Sequence, residues 1–180
     1  MVATCPRLSS EPALQTIAVG VGQLRVSADL SVTLKGASLG SCIALAAYDP
    51  GARVGGVVHF MLPSASISPE RAAACPALFC DTALPLFFRL LLKLRATPTE
   101  VRIFLAGGAD VLGSGAPGFQ VGARNRRAAE DFLTAADYPV TASDVGGTFN
   151  RSLQLNVGNG TVGLWREEAC SEFSLAAARA

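Results

Sequence analysis

Residues 39–61 read LGSCIALAAYDPGARVGGVVHFM and carry the clearest structural pattern of the chain. The two ends of this stretch are rich in apolar and β-branched residues, which is typical of strands. Between them, Tyr48-Asp49-Pro50-Gly51 is a strong turn signal, because aspartate, proline and glycine each favour turn conformations. The stretch therefore predicts two consecutive antiparallel strands, at residues 39–48 and 55–61.

The predicted hairpin brings a cysteine and a histidine to neighbouring strands. With a turn around residues 49–53, opposite positions have numbers that sum to about 101 or 102, so Cys42 and His59 are expected to face each other. His59 is the only histidine in the chain. A thiol becomes a nucleophile at neutral pH when an imidazole takes its proton, so the pair is a candidate for covalent acyl chemistry.

The residues before Cys42 bear on two interpretations of this pair. Free cysteine is often buried, and a core cysteine beside a core histidine would have no chemical role. Gly40 and Ser41 favour the chemical interpretation, because a turn through small residues can expose the sulfur. Amide hydrogens between Gly40 and Ile43 would then point at a bound carbonyl, as an oxyanion site requires.

Length and composition predict one compact domain. The chain has 180 residues, of which 50% are hydrophobic and 16% are charged, so it can bury a substantial core. We expect a flexible N-terminal tail at residues 1–15, one domain at 16–167 and a flexible C-terminal tail at 168–180. The net charge of +1 lacks the basic footprint of nucleic-acid binding, so no nucleic-acid partner is expected.

Cysteine usage and hydropathy bear on cofactors and compartment. Five scattered cysteines and a single histidine form no C-x-x-C pair, so they predict neither a metal site nor a disulfide framework. No cofactor is expected. The first twelve residues lack the apolar core of a signal peptide, and no apolar stretch is long enough to span a bilayer. These features favour a cytoplasmic protein that is not embedded in a membrane.

The rest of the chain predicts a mixed α/β fold, a single-domain sandwich of mixed β-sheet strands with helices packed on it. The clearest helix lies at residues 81–94, where apolar residues recur at helical spacing and Pro85 falls in the first turn. A second amphipathic helix is predicted at 125–136. Further strands are predicted at residues 15–21, 24–27, 101–106, 140–145, 152–157 and 161–165, the last two forming a hairpin through Asn159-Gly160.

Three other features have simpler explanations than a functional site. Residues 113–118 match the phosphate-binding pattern G-x-G-x-x-G, but they begin seven residues after the strand, and Pro117 has no amide hydrogen to donate, so we interpret them as a surface loop. The arginines at 124, 126 and 127 are interpreted as a solvated helix face that can pair with Glu130 and Asp131. Four glycines are interpreted as turn residues at strand ends: Gly107, Gly108, Gly146 and Gly147.

A series of motifs across residues 16–166 resembles the chemoreceptor glutamine deamidases, the CheD family. The order of these motifs and the interval between Cys42 and His59 make the resemblance specific. The motifs are Leu39-Gly40-Ser41-Cys42, Gly55–Pro63, Asp81-Thr82-Ala83, Ala106-Gly107-Gly108-Ala109, Val121-Gly122-Ala123-Arg124-Asn125, and Asp144-Val145-Gly146-Gly147 followed by Arg151.

The resemblance implies a cytoplasmic enzyme without a cofactor. It would hydrolyse glutamine side chains of methyl-accepting chemotaxis receptors to glutamate, through a thioester between the glutamine and Cys42, with His59 as the base. The resemblance also implies a possible partner, the CheC-type phosphatase that accompanies the family in some bacteria. Its sandwich is similar to the catalytic domain of cytotoxic necrotizing factor toxins. A thioesterase or protease would use the same dyad, so the dyad alone does not define the substrate.

The third catalytic group is where this sequence departs from the family pattern. Members carry a catalytic threonine about six residues before the cysteine, but Gly36 occupies that position here. Thr33 and Ser38 are the candidate substitutes, and Thr33 is favoured because it lies in the approach to the cysteine. A missing hydroxyl suggests an alternative function, a catalytically weakened regulatory module that binds a CheC-type phosphatase or a receptor.

Overall fold

The computed structural model describes residues 15–111, 120–166 and 169–177, and in these ranges ten strands form two five-stranded sheets. The strands are β1 (Gln15–Ala18), β2 (Gln23–Ser27), β3 (Val32–Leu39), β4 (Ile43–Asp49), β5 (Val54–Phe60), β6 (Arg102–Gly107), β7 (Val140–Val145), β8 (Arg151–Asn156), β9 (Thr161–Arg166) and β10 (Ala169–Ser174). The helices are α1 (Pro69–Ala74), α2 (Cys80–Lys93) and α3 (Val121–Ala135). The strand order is β1-β3-β8-β9-β10 in the first sheet and β2-β5-β4-β6-β7 in the second.

The sheets and helices form three layers, which confirms the predicted α/β sandwich. On β4, Ala44 and Ala46 face the first sheet, whereas Ile43 and Leu45 face the helices, because side chains alternate along a strand. One hydrophobic core therefore lies between the sheets, and a second lies between the second sheet and α2 and α3. β4 is buried on both faces.

The predicted turn between β4 and β5 is confirmed, and the side chain of Asp49 holds it. One carboxylate oxygen accepts hydrogen bonds from the amides of Gly51 at 2.8 Å and Ala52 at 2.9 Å. The other oxygen accepts from the amide of Thr97 at 2.7 Å. The pairing of β4 with β5 places Ala44 opposite His59, so the register differs by one or two residues from the expected sum.

The predicted strand at 39–48 is wrong in its first part, because residues 40–42 separate β3 from β4. β3 was not predicted as a strand, since Lys35 and Gly36 interrupt its apolar pattern. A bulge between Gly36 and Leu39 then ends its regular pairing with β8. Ser38 in this bulge has a positive φ of 59°. Cys42 therefore lies in a connection that leads directly into β4.

The start of the predicted C-terminal tail forms β10, so that prediction is wrong for residues 169–174. β10 pairs with β9, which supplies its backbone hydrogen bonds, and the ring of Phe173 lies 4.8 Å from that of Phe104. Leu175 is also buried. The polar composition of β10 hides this pairing in the sequence. Residues 1–14 of the predicted N-terminal tail, the loop at 113–118 and residues 178–180 lie outside the described residues.

Both predicted helices are present, with shifted limits for the second. α2 packs Leu84, Phe87 and Leu91 into the core beside the second sheet. α3 begins at Val121, four residues before the predicted start. The predicted hairpin of β8 and β9 is confirmed. Among the described helices, none is long and apolar enough to cross a membrane.

Candidate active site

The Cys42 loop, defined as residues 40–42, is held in place by its carbonyl groups. The Gly40 carbonyl accepts a hydrogen bond from the amide of Ala109, and the Cys42 carbonyl accepts one from the amide of Gly108, both at 2.8 Å. The Ser41 carbonyl accepts from Nδ2 of Asn125 at 2.9 Å. All three carbonyls of the loop are thus fixed to neighbouring elements.

The amides of the Cys42 loop are used differently. The N–H groups of Ser41 and Cys42 make no hydrogen bond with any described residue. Gly107 and Gly108, at the end of β6, adopt φ values of +107° and +63°, which turn the chain away from β4. The Cys42 amide therefore has no carbonyl of β6 to donate to. A side chain at Gly107 would collide with the Cys42 carbonyl. The loop therefore offers two free amide donors beside the thiol, which suits a developing oxyanion.

His59 is fixed by a backbone carbonyl. The side chain on β5 is 1% exposed, and its Nδ1 lies 3.3 Å from the carbonyl oxygen of Val19. A carbonyl only accepts hydrogen bonds, so Nδ1 carries the proton and Nε2 of the neutral ring bears a lone pair. Nε2 is buried and has no hydrogen-bond partner among the described residues. The ring thus has the tautomer that a general base needs.

The strand register places the imidazole near the loop that carries the thiol. His59 is opposite Ala44 and shares the face of the second sheet that packs on the first sheet, and Cys42 lies two residues before Ala44, in the connection into β4. Because Nε2 of His59 has no partner, the thiol–imidazole hydrogen bond is not formed in this structure.

Burial keeps both groups uncharged at neutral pH. It raises the pKa of the Cys42 thiol above its usual range. Burial also lowers the pKa of His59, against a smaller opposite effect of the hydrogen bond to Val19. The resting pair is therefore a thiol and a neutral imidazole, and a thiolate forms only as the proton passes to the ring.

Comparison with known proteins gives the family. The model of the family described as "CheD chemotactic sensory transduction" matches residues 61–166. The chain belongs to the CheD family. It is 40% identical over 149 residues to "Probable chemoreceptor glutamine deamidase CheD 2" of Anaeromyxobacter dehalogenans, covering 83% of this chain and 93% of the relative. It is 34% identical over 146 residues to the "CheD 1" protein of Syntrophus aciditrophicus with the same description, covering 81% of this chain and 91% of the relative.

The structure does not bring either candidate hydroxyl of the CheD pattern to the dyad. Thr33 lies between Val32 and Leu34, which face the space between the sheets, so its side chain points to the outer face of the first sheet. Ser38 is exposed in the bulge of β3. Neither hydroxyl contacts a ring nitrogen of His59, since Nδ1 bonds to Val19 and Nε2 has no partner.

Gly36, six residues before Cys42, faces the space between the two sheets. A Cβ built on Gly36 would lie 3.5 Å from the Cβ of Ala44 and 3.8 Å from a methyl group of Val57. Both distances are ordinary contacts, so a methyl group would fit at position 36. Ala44 is also the residue opposite His59.

A cavity of about 380 Å³ lies next to the Cys42 loop. Its lining includes Ser41, residues 108–111, the first turn of α3, and the two glycines at 146 and 147. Neither Cys42 nor His59 lines it, so the cavity lies beside the dyad. Within the described residues, no group of three His, Cys, Asp or Glu side chains is placed to hold a metal ion.

An ionic cluster joins the two sheets at the same end of the sandwich. Asp144 on β7 accepts a hydrogen bond from Nε of Arg151 at 2.8 Å, and its second oxygen lies 3.1 Å from Nε of Arg166. Arg151 also donates to the carbonyl of Phe149 and stacks on the Phe149 ring at 4.3 Å. Because Arg151 pairs with Leu39, the cluster lies next to the Cys42 loop.

Two contributors to this CheD site escape sequence reasoning for different reasons. Val19 acts through its main-chain carbonyl, so its residue type carries no signal. Asn125 is fully buried, and its Nδ2 donates to the carbonyls of Ser41 and Met61. A signal for Asn125 exists, because the helix face that carries Gly122, Ala129 and Leu133 is otherwise apolar. The later predicted start of α3 concealed that face.

Proposed function

We propose that this chain hydrolyses the side-chain amide of glutamines on methyl-accepting chemoreceptors in the cytoplasm, with Cys42 as the nucleophile and His59 as the base. Membership of the CheD family supports the reaction, and the relatives are described as chemoreceptor glutamine deamidases. The assignment of these roles rests on Nε2 of His59, which is buried and has no hydrogen-bond partner among the described residues. The strand that carries His59 pairs with β4, which directly follows Cys42.

The first half of the proposed reaction forms a thioester. Nε2 of His59 takes the thiol proton, and the Cys42 sulfur attacks the carboxamide carbon of the glutamine. As the C–S bond forms, an electron pair moves to the carbonyl oxygen, where the free amides of Ser41 and Cys42 stabilise the charge. When the carbonyl re-forms, the C–N bond breaks, and the proton on Nε2 goes to the departing nitrogen as ammonia.

The second half of the reaction restores the thiol. Water replaces ammonia, and Nε2 removes a proton from it as its oxygen attacks the thioester carbon. The C–S bond then breaks, the sulfur takes the proton back from Nε2, and glutamate is released. The hydrogen bond from Nδ1 to the Val19 carbonyl stabilises the imidazolium in both halves, which is the role of the third group in a catalytic triad.

The proposal is tested by mass spectrometry of receptor glutamines. A purified receptor cytoplasmic fragment is incubated with wild type, with Cys42→Ala and with Cys75→Ala. Cys75 is a matched control, because it is half-buried like Cys42 but its sulfur donates to the Gly22 carbonyl. We expect conversion to glutamate with wild type and Cys75→Ala only. Conversion by Cys42→Ala would contradict the proposal.

A second candidate function is a regulatory module that binds a CheC-type phosphatase or a receptor without turnover. The unformed thiol–imidazole hydrogen bond and the glycine at position 36 favour it. It predicts that the chain captures a purified CheC-type phosphatase, while wild type and Cys42→Ala leave receptor glutamines equally unchanged. Cys42-dependent conversion would contradict this second candidate.

A further inference from the structure

Asn125 is a buried polar residue that the proposed reaction does not use. It lies on α3, in the helix layer, and is fully buried. Buried amides normally satisfy all their hydrogen-bonding groups, but Oδ1 of Asn125 has no partner among the described residues. A buried group that keeps an unsatisfied atom lowers the stability of the fold.

Those contacts connect the two halves of the dyad. Nδ2 of Asn125 donates to the carbonyl of Ser41 at 2.9 Å and to the carbonyl of Met61 at 2.7 Å. Ser41 directly precedes Cys42, and Met61 is the second residue after His59. A single carboxamide thus ties the loop that carries the thiol to the end of the strand that carries the imidazole.

The orientation of the carboxamide is fixed by its partners. Exchanging Oδ1 and Nδ2 would place an oxygen against two carbonyl oxygens, so only the observed orientation forms hydrogen bonds. The start of α3 packs closely on the segment after β6, as a Cβ at Gly122 would lie only 2.7 Å from the carbonyl group of Gly108. Gly108 in turn donates to the Cys42 carbonyl. The helix that carries Asn125 is therefore packed against the residue that holds the Cys42 carbonyl.

One of the two hydrogen bonds acts on a reacting group through a peptide bond. The Ser41 carbonyl and the Cys42 amide belong to one planar peptide unit, so a donor that holds the oxygen also sets the direction of the N–H. Hydrogen bonding at the oxygen polarises the unit and makes the N–H a stronger donor. That N–H makes no hydrogen bond with a described residue and is the proposed oxyanion donor.

We propose that Asn125 is a positioning residue for the deamidation reaction, which sets the direction of the Cys42 amide and the separation of Cys42 from His59. The inference rests on the proposed roles of Cys42 and His59. Asn125 does not itself touch the substrate, because its side chain is fully buried and does not line the cavity beside the Cys42 loop.

The test compares Asn125→Ala with Asn156→Ala in the full chain. Asn156 is a matched control, since it is 4% exposed, has a buried Nδ2 without a partner, and accepts from the Gly158 amide at the other end of β8. At a temperature where both variants are folded, we expect Asn125→Ala to lower kcat for receptor conversion at least about tenfold with little change in KM. Asn156→Ala should lower Tm and leave kcat unchanged.

An unchanged kcat in folded Asn125→Ala would overturn the inference. If that variant does not fold, Asn125→Asp decides. Its protonated carboxyl recovers one donor, so we expect its kcat relative to wild type to rise as the pH falls. A ratio that does not change with pH would overturn the inference in that case.

Failure of the proposed function is distinguished by a second readout. If wild type converts no receptor glutamine, the proposed function fails, while the labelling of Cys42 by iodoacetamide still tests the positioning role. We then expect Asn125→Ala to change the labelling rate of the folded protein by about tenfold and Asn156→Ala to leave it unchanged. Equal labelling of both variants and wild type would overturn the inference.

Discussion

Two polar clusters lie at the same end of the sandwich, and they use their hydrogen-bonding capacity differently. In the ionic cluster, both oxygens of Asp144 are engaged by arginines, and Arg151 further contacts the Phe149 carbonyl and ring. In the dyad, His59 uses one ring nitrogen, and the other has no partner in the part of the chain that the structure describes. The first cluster is charged at rest, and the second is neutral.

This difference distinguishes a cluster with a structural role from one with a catalytic role. An ionised group in a dry environment is tolerated when all its partners are in place, and such a cluster holds the two sheets together. A lone pair without a partner costs stability, but it is available to accept a proton. The comparison therefore predicts that variants in the ionic cluster change stability, whereas variants in the dyad change activity.

Replacement of His59 should have the largest effect on activity. His59→Ala removes the only histidine, so no imidazole remains to accept the thiol proton. We expect the rate of receptor glutamine conversion to fall at least about 100-fold, as is usual when a general base is lost. Mass spectrometry of the receptor measures the rate, and circular dichroism checks that the variant is folded. A folded variant that keeps more than about a tenth of wild-type activity would contradict the role of His59 as the general base.

Replacement of Asp144 should have the largest effect on stability. Asp144→Asn keeps the shape of the side chain but leaves the guanidinium of Arg151, whose side chain is 2% exposed, without a counter-charge. We expect the free energy of unfolding in urea to fall by about 3–5 kcal/mol, as when one partner of a buried ion pair is removed.

The matched control for Asp144→Asn is Arg166→Gln. The Arg166 side chain is 42% exposed, so its removal should lower the free energy of unfolding by less than about 1 kcal/mol. Both variants should retain wild-type kcat below their unfolding temperatures. Equal losses of stability, or a loss of kcat in folded Asp144→Asn, would mean that the ionic cluster is not a separate scaffold.

The pH dependence of Cys42 labelling tests whether the dyad is neutral at rest. Burial raises the pKa of the Cys42 thiol, so less thiolate is present at neutral pH than for a free thiol. We expect the iodoacetamide labelling rate, followed by mass spectrometry of the Cys42 peptide, to rise with a midpoint above roughly pH 8.5, the ordinary cysteine pKa. Rapid labelling that is constant from pH 6 to 8, far below that ordinary pKa of roughly 8.5, would indicate a resting thiolate–imidazolium pair.

The smallest effect is expected at Gly36. A methyl group there would make only ordinary contacts with Ala44 and Val57, and the φ of Gly36 is not positive. If the Val19 carbonyl suffices to orient His59, Gly36→Ala should convert receptor glutamines within about twofold of the wild-type rate, since nothing in its path is displaced. A severe loss in a folded variant would show that the dyad needs this space open.

The central hairpin of the fold could be predicted from the sequence, because its information is local. Asp49, Pro50 and Gly51 specify the turn, and the apolar runs on either side specify the strands. β10 could not be predicted because its composition hides a hairpin with the adjacent β9, and most of β3 could not because it pairs with β8, which is distant in the sequence. The register followed from the turn only to within two residues.

For the candidate site, side-chain chemistry was visible in the sequence and main-chain chemistry was not. Cys42 and His59 stand out by residue type, and Cys42 directly precedes β4, the strand that pairs with the one carrying His59. The Val19 carbonyl and the free loop amides carry no residue signature. The expected hydroxyl partner illustrates the limit, because one intervening residue decides which face of β3 a side chain takes, and Thr33 lies on the outer face.

Trapping the acyl-enzyme would identify the nucleophile of the reaction. Wild type is mixed with a glutamine-bearing receptor fragment, the reaction is quenched in acid during turnover, and each cysteine peptide is analysed by mass spectrometry. We predict a glutamyl thioester on Cys42 in wild type and none on Cys42 in His59→Ala. Continued glutamine conversion with the adduct on Cys75 or Cys80 instead, or with Cys42 replaced by alanine, would contradict the assignment of Cys42 and His59 as the reacting pair.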